Sequence, residues 1–354
     1  FSYISVTSTA QPSRFAASTI ASWFRPPPTI WTNGSPVISR IGLQHDNVCN
    51  SLDVGSSLSG QVSQEISLPK EIVYKKYNNL NIVNGDLLDK PLLDVSIDNC
   101  DIVYHMAANA DIRSGLEKPY FDIEQNTIAT FNLLEAMRKK DIKRIIFASS
   151  AATLGEPNKF PTPESCSIPI QTSLYGASKM ACEGLISSYC EGYGFEGYVF
   201  RFVSLLGPRY PHGHVFDFVK QLRTNPSKLK VLGDGTQRKS YMHINDCLDA
   251  IFLVAEKKRT AMSSKHHYQV YHLGYPSYIK VIDSIDLICD QMKLNPKLEF
   301  SGGDRGWVGD NPFVFLDISK IQKEGWTPKY NIENSIRETT DWLNQNTWIL
   351  DSRN

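Results

Sequence analysis

Tyr175 and Lys179 stand four residues apart in the run Tyr175-Gly-Ala-Ser-Lys179. On a helix that spacing puts both side chains on one face, one turn apart. A free phenol ionises near pH ~10, too high for a base at neutral pH, and a neighbouring ammonium favours the phenolate. A pair so placed is a usable general base. Tyr and Lys are common, so the spacing alone would equally describe a surface pair. The residues before it add a third group. Arg144 to Ala148 (RIIFA) reads as a buried strand that runs into Ser149-Ser150-Ala151-Ala152-Thr153-Leu154-Gly155. A strand running into small hydroxyl residues ends at the carboxyl edge of a parallel sheet, where open α/β sheets bind ligands. Ser150 at that edge can hydrogen-bond the same substrate oxygen that Tyr175 deprotonates.

The elements that must position these groups follow a regular rhythm from about residue 72. Asn79 to Val83 reads as a short strand closed by Gly85-Asp86, and Asp101 to Met106 as a buried strand. Residues 122–139 read as a helix, with Phe131, Leu134 and Met137 at helical spacing. Arg138, Lys139, Lys140 and Lys143 suit its C-terminus. Residues 174–193 make a long helix, and Tyr198 to Val203 is a strand again. Strands alternating with helices mean a parallel sheet covered on both faces, an α/β fold of the doubly wound Rossmann type. After Gly207-Pro208 the rhythm changes, with turns at Asn225-Pro226 and Gly233-Asp234-Gly235 and helices over 214–224, 245–257, 280–292 and 332–345. The expected organisation is an atypical segment 1–66, a cofactor-binding domain 67–206 to which 240–262 returns, and a smaller mixed lobe 207–354 that binds substrate.

Composition narrows the class. The 354 residues suffice for one large domain or two ordinary ones. Lys plus Arg equals Asp plus Glu at 37 each, which argues against a general nucleic-acid binder. No apolar run approaches the roughly 18 residues of a membrane helix. The seven cysteines form no CxxC, which fits reduced, buried thiols in a reducing, cytoplasmic setting. His212 and His214 are the only close pair with ligand-like spacing, and with no third ligand nearby they read as structural, so no metal is expected. Residues 1–45 contain no Asp or Glu and are rich in Ser, Thr and Pro, with Arg14, Arg25 and Arg40. Such a stretch resembles an organelle transit peptide, a segment under no folding constraint, or a mistranslated stretch, and all three readings stay open.

Several motifs in order resemble one family. They are Gly85-Asp86-Leu87-Leu88-Asp89; Tyr104-His105-Met106-Ala107-Ala108-Asn109; Asn126-Thr127; Ser149 to Gly155; Tyr175 to Lys179; Arg201 to Pro208 with Arg209; Gly233 to Tyr241; and Arg305 to Asp310. Asp317 to Lys320 and Gly325 to Tyr330 also fit. Together they resemble the extended short-chain dehydrogenase/reductases, in the NAD-dependent nucleotide-sugar epimerase/dehydratase group. The resemblance implies NAD as cofactor and a nucleotide sugar, a UDP-sugar, as substrate. It also implies a homodimer formed through the helices near 122–139 and 174–193. It places Asp86 and Leu87 by the adenine, where a carboxylate accepts from the amino group. Ala107, Ala108, Asn109 and Val203 would line the cofactor with Tyr175 and Lys179, and Asn126 would brace the turn near the site. The bound nicotinamide, also cationic, would lower the phenol further. Ser204 stands where the family commonly has a substrate-contacting Asn, and Lys239 and Arg305 would grip the diphosphate.

The resemblance also bears on the reaction. The family's dehydratases usually carry Asp-Glu just after the serine or threonine, where this chain has Ala151-Ala152. An acid there would help eliminate water, so its absence favours epimerisation, as in a UDP-glucose 4-epimerase. Leu154 replaces a Tyr common before Gly155. The larger departure is at the start. The family opens with a strand and a GxxGxxG turn, where glycines let backbone approach the pyrophosphate. Ile4 to Thr7 is the plausible strand, yet Ser8 to Phe15 contain no glycine and Pro12 removes a donor. Asp46 is the nearest candidate for the ribose-binding carboxylate, later than expected. Two readings follow: a native enzyme with a normal loop whose N-terminus is here a sequence artefact or frameshift, or a degenerate relative that binds cofactor poorly and serves as a binding or scaffold protein.

Overall fold

The computed structural model describes residues 5–7, 48–51, 80–83, 85–167, 170–260 and 267–351. Its centre is a seven-stranded sheet of β1 (Ser5–Thr7), β2 (Val48–Ser51), β3 (Leu80–Ile82), β4 (Ile102–His105), β5 (Arg144–Ser150), β6 (Glu196–Phe202) and β11 (Tyr268–Leu273). The order is β11-β6-β5-β4-β2-β1-β3. Neighbours from β2 to β11 are parallel. Strands β4, β5 and β6 bury both faces because they are apolar at successive positions. Ile145 and Phe147 of β5 enter one core with Val103 and Val199, while Ile146 enters another with Ile102, Tyr104, Tyr198 and Phe200.

Helices cover the first face: α1 (Lys90–Ser96), α3 (Ala129–Lys139) and α4 (Leu174–Tyr193), whose Leu93, Leu133, Leu134, Met137, Cys182 and Ile186 complete that core. The second face is covered by α6 (Ile244–Thr260), with Ile251, Val254 and Trp326. The return to the sheet thus runs past 240–262 and includes β11.

The third core belongs to the smaller lobe. It holds α5 (His214–Thr224), α7 (Val281–Met292) and α9 (Ile332–Gln345), with three small sheets. β7 (Ser204–Leu206) pairs β10 (Tyr241–His243), and β8 (Lys228–Val231) pairs β13 (Lys297–Phe300). β9 (Arg238–Lys239) lies between β12 (Ile279–Lys280) and β14 (Phe313–Val314). Asp246 ties the C-terminal segment down, since its buried carboxylate accepts from Lys329 N and Tyr330 N, both at 3.0 Å.

Three details differ from the sequence reading. The opening strand forms at Ser5–Thr7 but runs antiparallel to β2 and β3, so β2 rather than β1 lies beside β4. An antiparallel strand needs no crossover helix, so β1 joins the ladder without the parallel βαβ unit expected there. The helix expected over 122–139 is composite: α2 (Pro119–Asp122), a π-helical turn (Ile123–Ile128), then α3. Within α3 the buried face runs through Thr130, Leu133, Leu134 and Met137, and Phe131 lies off it, 40% exposed. Cys100 is disulfide-bonded, whereas Cys166, Cys182, Cys190, Cys247 and Cys289 are free. Spacing gave no sign of that bond, because no other cysteine lies near Cys100 in sequence. Glycine-loop positions 8–15 and Asp46 lie outside the described residues.

Candidate active site

Helix α4 carries Tyr175 and Lys179, and its buried residues follow one stripe: Tyr175, Ser178, Lys179, Cys182, Glu183, Ile186, Tyr189 and Cys190. The i, i+3, i+4 pattern presses one face against the sheet and draws the polar pair inward with it. Ser173 caps the start, accepting from Gly176 N at 3.0 Å, and Gly194 ends it in the left-handed conformation. Gly176 is needed because a Cβ there would stand 2.6 Å from the Ala152 carbonyl oxygen. The first turn of α4 therefore sits directly on the loop after Ser150.

Ser150 ends β5 and caps a 3₁₀ turn (Ala151–Leu154), its Oγ accepting from Ala152 N at 3.1 Å. That Oγ is also hydrogen-bonded to the Tyr175 hydroxyl. Lys179 Nζ donates to the Ala148 carbonyl at 2.9 Å and lies 4.6 Å from the centre of the Phe147 ring. Below them runs a buried polar network. Asn126 accepts from Asn109 N at 2.7 Å and donates to Ser178 Oγ at 2.8 Å, and Ser178 donates to the Tyr175 carbonyl at 2.8 Å. Glu183 accepts from Ser149 at 2.5 Å and pairs with Arg201 at 2.6 Å, joining α4 to β5 and β6. Ser150, Tyr175, Asn109 and Asn126 are thus linked by hydrogen bonds, with Lys179 on the same helix anchored to Ala148.

The electrostatics differ from the expectation for the pair. Burial pushes the Tyr175 phenol up to about 12; its bond to Ser150 opposes the rise, and the charge of Asp122 adds to it. The ammonium of Lys179 is spent on Ala148, so in the free protein it does not leave Tyr175 a low-pKa base. Burial, then the charge of Lys179, drives His105 down to about 3. His105 therefore stays neutral, with Nε2 2.8 Å from Thr130 Oγ1.

The other expected residues differ in their settings. Ala107 and Ala108 come after β4 at the carboxyl edge, and Val203, buried, comes after β6 at the same edge. Leu87 is wholly buried in the core and its carbonyl accepts from Asn132, so its side chain is a core group. Asp86 closes its own turn, accepting from Leu88 N at 3.0 Å. Ser204 is exposed at the start of β7. Lys239 and Arg305 are not bare cations. Lys239 pairs with Asp310 at 2.7 Å and also donates to the Asn311 carbonyl, and Arg305 pairs with Glu156 at 2.5 Å. Lys239 approaches the loop after Ser150 through Asn311, which donates to Gly155 O at 2.7 Å and accepts from Thr172 at 3.1 Å, while Arg305 donates to the Asp310 carbonyl at 3.1 Å. A diphosphate would have to displace or share these acids.

Sequence reasoning missed Asn311, Glu156, Glu183 and Asp122, whose partners meet them only through folding. It also favoured Asp46, which precedes β2. The carboxyl end of β2 is Ser51, and the acid just beyond it is Asp53, outside the described residues. His214 is not poised as a metal ligand, since its ring nitrogens lie 2.6 Å from Ser284 Oγ and 3.0 Å from the Tyr241 hydroxyl.

A parallel sheet with Ser150, Tyr175 and Lys179 at its carboxyl edge defines a dinucleotide-dependent enzyme. Residues 56–272 match the model of the NAD dependent epimerase/dehydratase family, and the chain belongs to that family. A protein described as a putative UDP-glucose 4-epimerase from Methanocaldococcus jannaschii is 30% identical over 280 residues, covering 76% of this chain and 87% of that protein. A UDP-glucuronate 4-epimerase from Thermodesulfobacterium geofontis is 27% identical, covering 78% and 84%. A crystal structure of a UDP-galactose 4-epimerase superposes with a TM-score of 0.67 at 30% identity, covering 74% of this chain and 83% of that one. The family is enzymatic and uses NAD. The chemistry of the residues present suits the nicotinamide end of that cofactor: Ala107 and Ala108 after β4 are small, and Tyr175 and Lys179 on α4 are buried polar groups. Among the described residues no helix is long and apolar enough to cross a membrane.

Proposed function

We propose that this chain catalyses 4-epimerisation of a UDP-sugar, interconverting UDP-glucose and UDP-galactose through a 4-keto sugar. The observation that carries the reading is the pairing of Ser150 with Tyr175 beside an uncharged Ala151-Ala152. Tyr175 takes the proton of the 4-hydroxyl and later returns it. Ser150 holds the same oxygen in line with the phenol. Lys179, anchored on Ala148, keeps a positive charge one turn from Tyr175. NAD, when bound, supplies a reversible hydride acceptor at C4, and its positive charge offsets the burial that holds the phenol high. With no acid after Ser150, no group stands ready to expel water from the sugar, which favours epimerisation over dehydration. Lys239 and Arg305 bind the diphosphate, exchanging Asp310 and Glu156 for phosphate oxygens. Incubation with each UDP-sugar and NAD, followed by sugar analysis, tests the reading; turnover only of a UDP-uronate or N-acetyl sugar would move the substrate.

A second reading rests on the start of the chain. The family match begins at residue 56, and β1 runs against the sheet. In that reading the polypeptide is a sugar-nucleotide-binding relative with weak affinity for NAD. Calorimetric titration with NAD separates the two, because no measurable affinity would sink the enzymatic reading for this polypeptide. For assembly, a homodimer accounts for the apolar Tyr120, Ile123, Ile128 and Phe131, all exposed along α2, the π turn and α3.

A further inference from the structure

Asp122 is a charged group that the proposed chemistry does not use. It ends α2 and starts the π-helical turn, and its side chain has no solvent exposure. Oδ1 accepts from Asn109 Nδ2 at 2.7 Å. Oδ2 is buried with no hydrogen-bond partner among the described residues. It rests on Gly115, where a Cβ would come within 2.4 Å of it and within 3.3 Å of Leu174 Cβ. The carboxylate and Leu174, the residue preceding Tyr175, thus both close on Gly115. A buried carboxylate with one oxygen unsatisfied is costly to keep and needs a reason.

The surroundings supply one. Asn109, which Asp122 holds, is in turn held by Asn126, and Asn126 leads through Ser178 to the Tyr175 main chain. We propose that Asp122 is a positioning residue whose charge, acting across Gly115 and the start of α4, opposes the Tyr175 phenolate and so sets the pH at which the acid–base pair works. The inference rests on Tyr175 as the acid–base group. The groups facing Asp122 are Asn109 and Asp111 after β4, Gly115, and Tyr175 on α4. Those acting on Tyr175 are Ser150, Asp122 and Cys182, with Lys179 held at Ala148. Burial pushes the Asp122 carboxyl up to about 6; the Asn109 bond opposes this and Asp111 adds to it. Its charge is thus present at neutral pH and lost as the pH falls through 6, so acidification removes the opposition to the phenolate.

The test is ¹⁹F NMR of the purified protein carrying ring-fluorinated tyrosine, with the Tyr175 signal assigned by its loss in Tyr175→Phe. The Tyr175 signal should inflect near pH 6 in the unaltered protein, and Asp122→Asn should abolish that inflection. Ionisation of Tyr175 should then begin about half to one pH unit lower in the variant. Should Asp122→Asn fail to fold, Asp111→Asn serves, and the inflection should move to lower pH because Asp111 raises the Asp122 value. An absent inflection, or one unchanged in every folded variant, overturns the proposal. The readout needs no turnover, so inactivity on every UDP-sugar would count against the proposed function and leave this inference standing.

Discussion

Glu183→Ala should be the most damaging single change that leaves the reacting groups themselves intact. The side chains of Glu183 and Arg201 are 3% and 10% exposed. Arg201 Nε donates to Glu183 Oε1 at 2.9 Å and Nη2 to Oε2 at 2.6 Å, while Ser149 donates to Oε1 at 2.5 Å. Removing the carboxylate leaves a guanidinium buried without a counter-charge and a hydroxyl without its acceptor. Breaking a buried pair in this way costs about 3–5 kcal/mol, against ~0.2–1 kcal/mol for an exposed pair. Urea unfolding followed by circular dichroism measures the loss. The double change Glu183→Leu with Arg201→Met should recover much of it, since an apolar pair leaves no charge stranded. The same bond holds Ser149 to α4, so kcat should fall in the folded Glu183→Ala protein while NAD affinity changes little. A loss below about 1 kcal/mol, or no recovery in the double variant, would refute the view that this pair locks α4 to β5 and β6.

Other outcomes rest on the same geometry. Tyr175→Phe should leave folding intact and lower kcat by about 10²–10⁴-fold, read by sugar analysis under saturating substrate. Gly176→Ala should destabilise by about 1–3 kcal/mol, because its Cβ would sit 2.6 Å from Ala152 O; an unchanged urea midpoint would contradict the close approach. His105, His214 and His272 are each driven by burial from 6.5 to about 3. The unfolded chain binds protons there that the native protein refuses, so stability is full above about pH 6.5 and falls as the pH drops toward 3. His105→Gln should make that decline shallower in urea titrations across this range. Phe131→Glu should convert the proposed dimer to monomer in light scattering, since Phe131 is 40% exposed on α3.

Much of the catalytic half was legible because its signals are local. The helix over 174–193 and the strand ending at Ser150 can be read from apolar periodicity, and Tyr175 and Lys179 share a face by spacing alone. What stayed hidden depends on groups brought together from afar. Glu183 looks like an ordinary helical acid until Arg201 and Ser149 are seen around it. Lys239 and Arg305 read as bare cations because Asp310 and Glu156 meet them only through folding. The phenol of Tyr175 was expected low, yet burial outweighs a lysine that is turned toward Ala148. The π turn at Ile123–Ile128 adds one residue to a helical repeat, and no residue type announces it. The direction of β1 depends on pairing between segments that lie far apart in sequence.

The proposed reaction has Ser150, Tyr175 and Lys179 move a proton at C4 of a UDP-sugar. It is tested most directly by incubating the protein with NAD and UDP-galactose and monitoring the appearance of UDP-glucose, with Tyr175→Phe alongside. Interconversion is expected from the unaltered chain, with near-complete loss in Tyr175→Phe. Equal turnover by both proteins, or none by the unaltered chain when NAD binding has been demonstrated, would contradict it.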